Sequence, residues 1–322
     1  MRTDRSAPKT SLVVLWLFVL SSSGSPAQAQ QRLVDSTPIG ETVNKRIERL
    51  IADSGAETVA VAFCDLVTGE ELLINPDESF HAASTMKVPV MVEVFRQARG
   101  RLLSLDDRLT IKNEFPSIVD GTRYSLSPDS DSDVTLYKRI GQSETIRELV
   151  RLMIDVSSNL ATNLLIERVT AERVMVTMRE IGARSIRVLR GVEDSKAFQK
   201  GLNNTITARD LMLILRYIAQ RSAVSPRDSD EMIEVMLDQK FNEGIPAGLP
   251  KVVRVAHKTG SITGINHDAA IVYPPGRKPY VLVVLTRGLA DERKAQTLIR
   301  EISREVYGSL KQKKVRSQKA HL

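Results

Sequence analysis

The sequence predicts a mixed α/β (α+β) fold in which a sheet domain, assembled from both ends of the chain, is interrupted by an all-helical domain. Three observations predict it. Short runs of apolar and β-branched residues, 58–66 and 71–75 near the start and 252–256, 267–273 and 280–286 near the end, read as strands. The stretch between them carries apolar residues at helical spacing, at 145–155, 160–169, 171–181, 207–219 and 230–237. One amphipathic helix opens the body and another closes it. The boundaries that follow are 30–82 with 250–308 for the sheet domain and 83–249 for the helical domain. With 322 residues, 42% hydrophobic and 26% charged, the chain is large enough to bury a core. No internal repeat is visible.

Residues 1–29 stand apart. Arg2, Arg5 and Lys9 precede the apolar run Leu12 to Leu20, and small residues then lead to Ala27-Gln28-Ala29. This three-part pattern is that of a secretory signal peptide, so cleavage is expected after Ala29 and the protein in the periplasm or medium. The run is too short for stable membrane insertion, and no cysteine follows it closely enough for a lipid anchor. In the body, Val43, Ile47, Leu50 and Ile51 line one side of a helix that ends near Gly55. The strands 58–66 and 71–75 follow as a hairpin turning at Thr68-Gly69. Cys64, the one cysteine, lies in the first strand and reads as a small core residue with no internal disulfide partner.

Next comes His81-Ala-Ala-Ser84-Thr-Met-Lys87-Val-Pro-Val90, at the junction of strand-like and helix-like sequence. The helix should start at Ser84 and run through Val92, Val94 and Phe95 to a stop at Gly100. Pro89 lies too far in for the ideal first position and implies some early distortion. From 112 to 142 the chain is polar and aperiodic. The carboxylates of Asp129, Asp131 and Asp133 have calcium-loop spacing, but Val134 and Ile140 stand where that loop needs Gly and Glu, so a solvated loop is expected. Thr145-Ile-Arg-Glu148 is a capping-box pattern, and Thr207-Ala-Arg-Asp210 is a second helix-start signal of the same form. Between the first two middle helices lies Asp155-Val-Ser157-Ser158-Asn159. Near the end, the strand 252–256 leads into His257-Lys258-Thr259-Gly260. The closing helix, Asp291 to Tyr307, carries Ala295, Leu298, Ile299, Ile302 and Val306 on one side.

The formal net charge of +7 invites a nucleic-acid reading, but its location argues against one. Residues 1–29 contribute +2, and the tail after Gly308, with five basic residues and no acid, contributes +5, leaving 7 − 2 − 5 = 0 for the body. No nucleic-acid motif is present, and residues 309–322 read as a flexible basic tail. His81, His257 and His267 form no His-Glu-x-x-His pattern, no Gly-x-Ser-x-Gly elbow exists, and neither a metal nor a cofactor is expected.

The chemistry suggested by Ser84 and Lys87 is nucleophilic. A free serine hydroxyl must lose its proton to a base as it attacks. At i and i+3 on a helix the two side chains share a face, and an apolar setting would lower the lysine pKa toward the useful range. Ser-x-x-Lys alone is weak evidence, since Ser6-Ala-Pro-Lys9 is a second match inside the signal segment.

Ser157-Ser158-Asn159 and Lys258-Thr259-Gly260 complete an ordered set. Together with Ser84-x-x-Lys87 it resembles the serine β-lactamase and penicillin-binding family, most closely class A β-lactamases, over nearly the whole mature chain. The resemblance implies a β-lactamase-like fold, a mainly antiparallel sheet flanked by helices with the helical domain inserted. It implies that Ser84 forms an acyl-enzyme, that Lys87 helps deprotonate it, and that Ser157 relays a proton to the leaving nitrogen. Asn159 would hold the substrate amide and Lys87. Lys258 and Thr259 would bind the substrate carboxylate, Gly260 would leave room for it, and the backbone amides of Ser84 and Ser261 would meet the oxyanion, at about 3 kcal/mol per donor. On residues alone, Ser157 and Asn159 could equally cap a helix, and Lys258-Thr259-Gly260 could be a strand entering a turn.

Two departures stand out. Ser158 replaces the usual Asp of the triplet, removing a carboxylate that braces the local structure. In the segment from Arg190 to Thr205, Glu193 lies one residue later than the family's deacylation base, no Asn follows at the expected distance, and Asp194 competes for the role. The leading expectation is a monomeric hydrolase of small β-lactams. A D-Ala-D-Ala carboxypeptidase or other amidase or esterase acting on cell-wall peptide-like substrates, and a binding protein without turnover, are the alternatives.

Overall fold

The computed structural model describes residues 39–319, with side chains from 42 to 311. The signal segment, with Ser6 and Lys9, lies outside the described residues. The chain opens with α1 (Ile39–Ser54), then the hairpin β1 (Thr58–Asp65) and β2 (Glu71–Ile74), and β3 (Phe80–His81). A 3-10 turn over Ala83–Met86 feeds α2 (Lys87–Arg99). Four short strands follow: β4 (Arg108–Thr110), β5 (Phe115–Pro116), β6 (Arg123–Tyr124) and β7 (Ser143–Thr145). The helical run is α3 (Ile146–Asp155), α4 (Asn159–Val169), α5 (Ala171–Ile181) and α6 (Ser195–Gln199). Then come β8 (Thr205–Ile206), α7 (Ala208–Ala219) and α8 (Pro226–Leu237). The chain closes with β9 (Arg254–Ile262), β10 (Ile265–Tyr273), β11 (Tyr280–Arg287) and α9 (Glu292–Lys319).

The main sheet has the order β2-β1-β11-β10-β9 and every pairing in it is antiparallel. The ends of the chain meet where β1 pairs with β11, Thr58 opposite Arg287 and Asp65 opposite Tyr280. Alternate residues of these strands feed two cores, as the pleat requires. Ala60, Ala62, Cys64, Ala269, Ile271, Val281, Val283 and Leu285 face a core shared with α2, α3, α4 and α7. Val59, Val61, Phe63, Ala270, Val272, Leu282 and Val284 face a second core against α1 and α9. Burial on both faces explains why these strands read as continuous apolar runs instead of alternating ones.

Several boundaries differ from the sequence reading, each for a physical reason. The strand expected over 252–256 spans Arg254–Ile262, because backbone pairing with β10 continues through Lys258-Thr259-Gly260 where apolar residues stop. The eighth helix begins at Pro226, with Ser225 accepting from the Asp228 amide and proline at the start, rather than at Asp230. The α-helix after the junction begins at Lys87, not Ser84, which puts Pro89 in its first turn, where a missing N–H costs little. The solvated loop expected over 127–133 holds buried Asp131 and Asp133, whose carboxylates accept protein hydrogen bonds. The closing helix continues to Lys319, into the segment expected to be a flexible tail.

Candidate active site

Ser84 sits in the 3-10 turn between β3 and α2, half-buried at the mouth of the cleft. The residue before it, Ala83, has φ 45°, a left-handed conformation that a β-carbon disfavours. The turn is pinned from the sheet, where His267 Nε2 lies 2.9 Å from the carbonyl of His81, and burial pushes that imidazole down to about 4. Glycine is required at 260: a β-carbon there would stand 3.0 Å from Ser84 N and 3.1 Å from Thr85 N. Gly260 thus sets how closely β9 approaches the backbone of Ser84.

Lys87 is fully buried one turn on. Its Nζ donates to the Ser157 carbonyl at 2.6 Å, to Ser157 Oγ at 3.1 Å and to Asn159 Oδ1 at 2.9 Å, and among the described residues makes no hydrogen bond to Ser84. The Lys87 ammonium expected to reach Ser84 is instead engaged by these three acceptors of the Ser157–Asn159 corner. Burial brings the Lys87 ammonium down to about 7, against the opposing pull of Asp131 and Glu193. Lys258, also fully buried, donates to Ser157 Oγ at 3.0 Å and to the Thr259 carbonyl at 2.9 Å. Burial, and then repulsion from Lys87, hold it well below the ordinary lysine range. Ser157 Oγ is thus the shared acceptor of two ammonium groups. Its backbone is left-handed, φ 59°, and this bend turns the hydroxyl between the lysines.

The Ser157–Asn159 corner opens α4. Ser158 Oγ caps the helix by accepting from the Ala161 amide at 3.2 Å. Asn159 Oδ1 holds Lys87, while its Nδ2 donates to Glu193 Oε1 at 2.8 Å. The amide expected to meet the substrate is therefore engaged by Glu193 here. Glu193, exposed and at φ 62°, also accepts from Ser130 Oγ at 3.2 Å. Asp194 turns away: its buried carboxylate accepts from Ser117 Oγ, the Ile118 amide and the Ala197 amide at 2.9–3.1 Å.

The loop bearing Glu193 has braces that the sequence reading missed. Asn163 accepts from the Val192 amide at 2.6 Å and donates to its carbonyl at 3.1 Å. Asn204 accepts from the Leu189 and Arg190 amides and donates back to the Arg190 carbonyl. Asn163 from α4 and Asn204 from the far side of the loop thus hold its backbone. Asp131, expected in a solvated loop, was missed too: it is buried against the start of α4.

On β9 the hairpin closes with Ile262 opposite Ile265. By the alternation of an antiparallel ladder, Thr259 and Ser261 have backbone groups directed away from β10, toward the open edge. Ser84, Asn159, Glu193, Asp194 and Ser261 line a cleft of about 590 Å³. A smaller hollow of about 230 Å³, lined by Ser84, Ser157, Thr259 and Gly260 among others, adjoins it. The predicted set is therefore brought together; Asp194 also borders the cleft, but its carboxylate is taken up by Ser117, Ile118 and Ala197. Such an arrangement can pass protons from Ser84 toward Ser157 through the lysines, and presents a carboxylate from the opposite wall.

A family model described as the Beta-lactamase enzyme family matches residues 42–310. The chain is similar to a β-lactamase of Bacillus licheniformis, 28% identical over 258 residues, 76% of this chain and 77% of that protein. It is also similar to a β-lactamase of Streptomyces lavendulae, 27% identical over 281 residues, 83% of this chain and 88% of that protein. Among solved structures it is similar to PBP-A, 28% identical with a TM-score of 0.72 over 84% of this chain and 97% of that one. An ancestral class A β-lactamase is 25% identical with a TM-score of 0.71, over 83% of this chain and 99% of that one. The match spans both strand sets and the helices between them, and hence every residue of the cleft just described; the chain belongs to the Beta-lactamase enzyme family.

Proposed function

We propose that the protein is an exported serine β-lactamase that opens the β-lactam ring through an acyl-enzyme on Ser84. The carrying observation is the line of polar groups from Lys87 Nζ through Ser157 Oγ to Lys258 Nζ beside Ser84. At neutral pH a lysine brought to about 7 is partly unprotonated. With one proton fewer it cannot donate to all three of its acceptors, and a lone pair is freed for the Ser84 proton. Ser84 Oγ attacks the carbonyl carbon, the C–N bond of the ring breaks, and the nitrogen takes its proton from Ser157 Oγ, which is resupplied from the lysines. The amides of Ser84 and Ser261 receive the oxyanion, and Lys258 with Thr259 receives the substrate carboxylate. For hydrolysis, Glu193 takes a proton from water as its oxygen attacks the acyl carbon, and Ser84 leaves with a proton.

The export reading rests on the three-part pattern of residues 1–29. For the acyl-enzyme, a mutant of the similar protein PBP-A, 29% identical to this chain, has been captured as an acyl-enzyme with penicillin G. The test is intact-mass spectrometry of the mature protein with a penicillin over time. A transient adduct, absent in Ser84→Ala, is expected. A lasting adduct would move the reading to a penicillin-binding role, and no adduct would overturn it.

A further inference from the structure

We propose that Asp131 is the positioning residue of the Ser157–Asn159 corner, supplying from a distant loop the carboxylate that the triplet lacks at Ser158. The inference rests on the acyl-enzyme reading for its kinetic consequence and on geometry for its substance. Asp131 is buried, yet its carboxylate accepts from the Asn159 amide at 2.9 and 3.0 Å, from the Leu160 amide at 2.9 Å and from Tyr137 Oη at 2.8 Å. Its Oδ1 also lies 3.2 Å from the Asp133 amide, which donates to it.

These are the first amides of α4, which no intrahelical carbonyl can satisfy. A carboxylate there also meets the positive end of the helix. Ser158 serves a different amide, its hydroxyl accepting from Ala161. What Asp131 fixes is the backbone of Asn159, and Asn159 in turn holds Lys87 with its oxygen and Glu193 with its nitrogen. One buried carboxylate therefore orients the groups of both half-reactions without touching the substrate.

The charged groups acting on Lys87 are Asp131 and Glu193 from the loops and Lys258 from β9. Asp131 favours the protonated lysine, so removing its charge makes Lys87 neutral at lower pH. A residue that merely filled space would leave that titration unmoved.

The experiment compares wild type, Asp131→Asn and Asp131→Ala. With a chromogenic cephalosporin, Asp131→Ala is expected to acylate about 100-fold more slowly, from misplacement of Lys87, with KM little changed. Asp131→Asn, which keeps one acceptor, should recover part of the loss. In both, the acidic limb of the acylation profile should move to lower pH. Folding is checked by circular dichroism, and Asp131→Asn stands in if the alanine variant does not fold. A substrate-independent measurement, the NMR titration of lysine carbons in wild type and Asp131→Asn, should move the Lys87 midpoint to lower pH. Wild-type acylation with an unshifted limb, or an unmoved Lys87 midpoint, would overturn the proposal. A wild type that forms no adduct while the Lys87 midpoint still shifts would refute the acyl-enzyme reading and leave Asp131 supported.

Discussion

Burial of Lys87 sets both what the residue can do and what it costs the fold. Because the base must be neutral to accept the Ser84 proton, acylation should rise with pH through about 7, measured as adduct formation in rapid-quench mass spectrometry. The same shift is a statement about stability. A lysine whose folded pKa lies below its unfolded value gives stability that is fully present above the unfolded pKa and lost as pH falls toward the folded one. Lys87→Met should therefore abolish acylation yet stabilise the protein by about 1–4 kcal/mol at neutral pH. That gain, read from denaturant melts, should be largest below pH 7 and fade toward the ordinary lysine range. For the second half-reaction, Glu193→Gln should acylate normally and accumulate the adduct, while Asp194→Asn should lower stability through its lost loop contacts. In the sequence Glu193 was the assigned base and Asp194 its adjacent competitor; the direction of their side chains, one to Asn159 and one to Ser117, separates them.

At the scale of elements, β9 has to lie close against the nucleophile turn. Gly260→Ala would put a β-carbon 3.0–3.2 Å from Ser84 N, Thr85 N and Ala83 Cβ, mostly backbone that cannot swing aside. We expect acylation to fall about 10–100-fold with a small change in melting temperature, checked by single-turnover kinetics beside calorimetry. Elements that end in a local signal were legible. Thr145 and Thr207 cap α3 and α7 as their positions foretold, although the first capping box is only half made. Glu148 turns to Arg151, and the Thr145 amide donates to Glu144 instead. The strand through Lys258-Thr259-Gly260 was legible only in its first half, since its continuation to Ile262 is written in backbone pairing rather than in side-chain pattern. Asp131 was hidden for a related reason: the Asn159 and Leu160 amides it accepts from lie far along the chain, and sequence spacing carries no trace of them.

For the molecule as a whole, one core runs from the inner face of the sheet into α2, α3, α4 and α7. A chain divided in sequence into sheet and helical portions is thus expected to melt in a single cooperative transition, with near-ultraviolet and far-ultraviolet dichroism coinciding. Two transitions would mean that the helical portion holds together by itself. The mixed architecture was readable because its strands are rich in Val and Ile at both ends; the strand order was not, since apolar strands buried on both faces give no hint of their neighbours. Pairing of β1 with β11 joins segments that leave the ribosome far apart in time. Ser84 and Lys87 lie on the early side of that seam and Lys258 on the late side. An unfinished chain therefore carries Ser84 and Lys87 without Lys258 and Thr259, and closing so long a loop is slow. Catalytic competence should appear in one step when the last strands arrive, so that hydrolysis itself serves as a clock for completed folding.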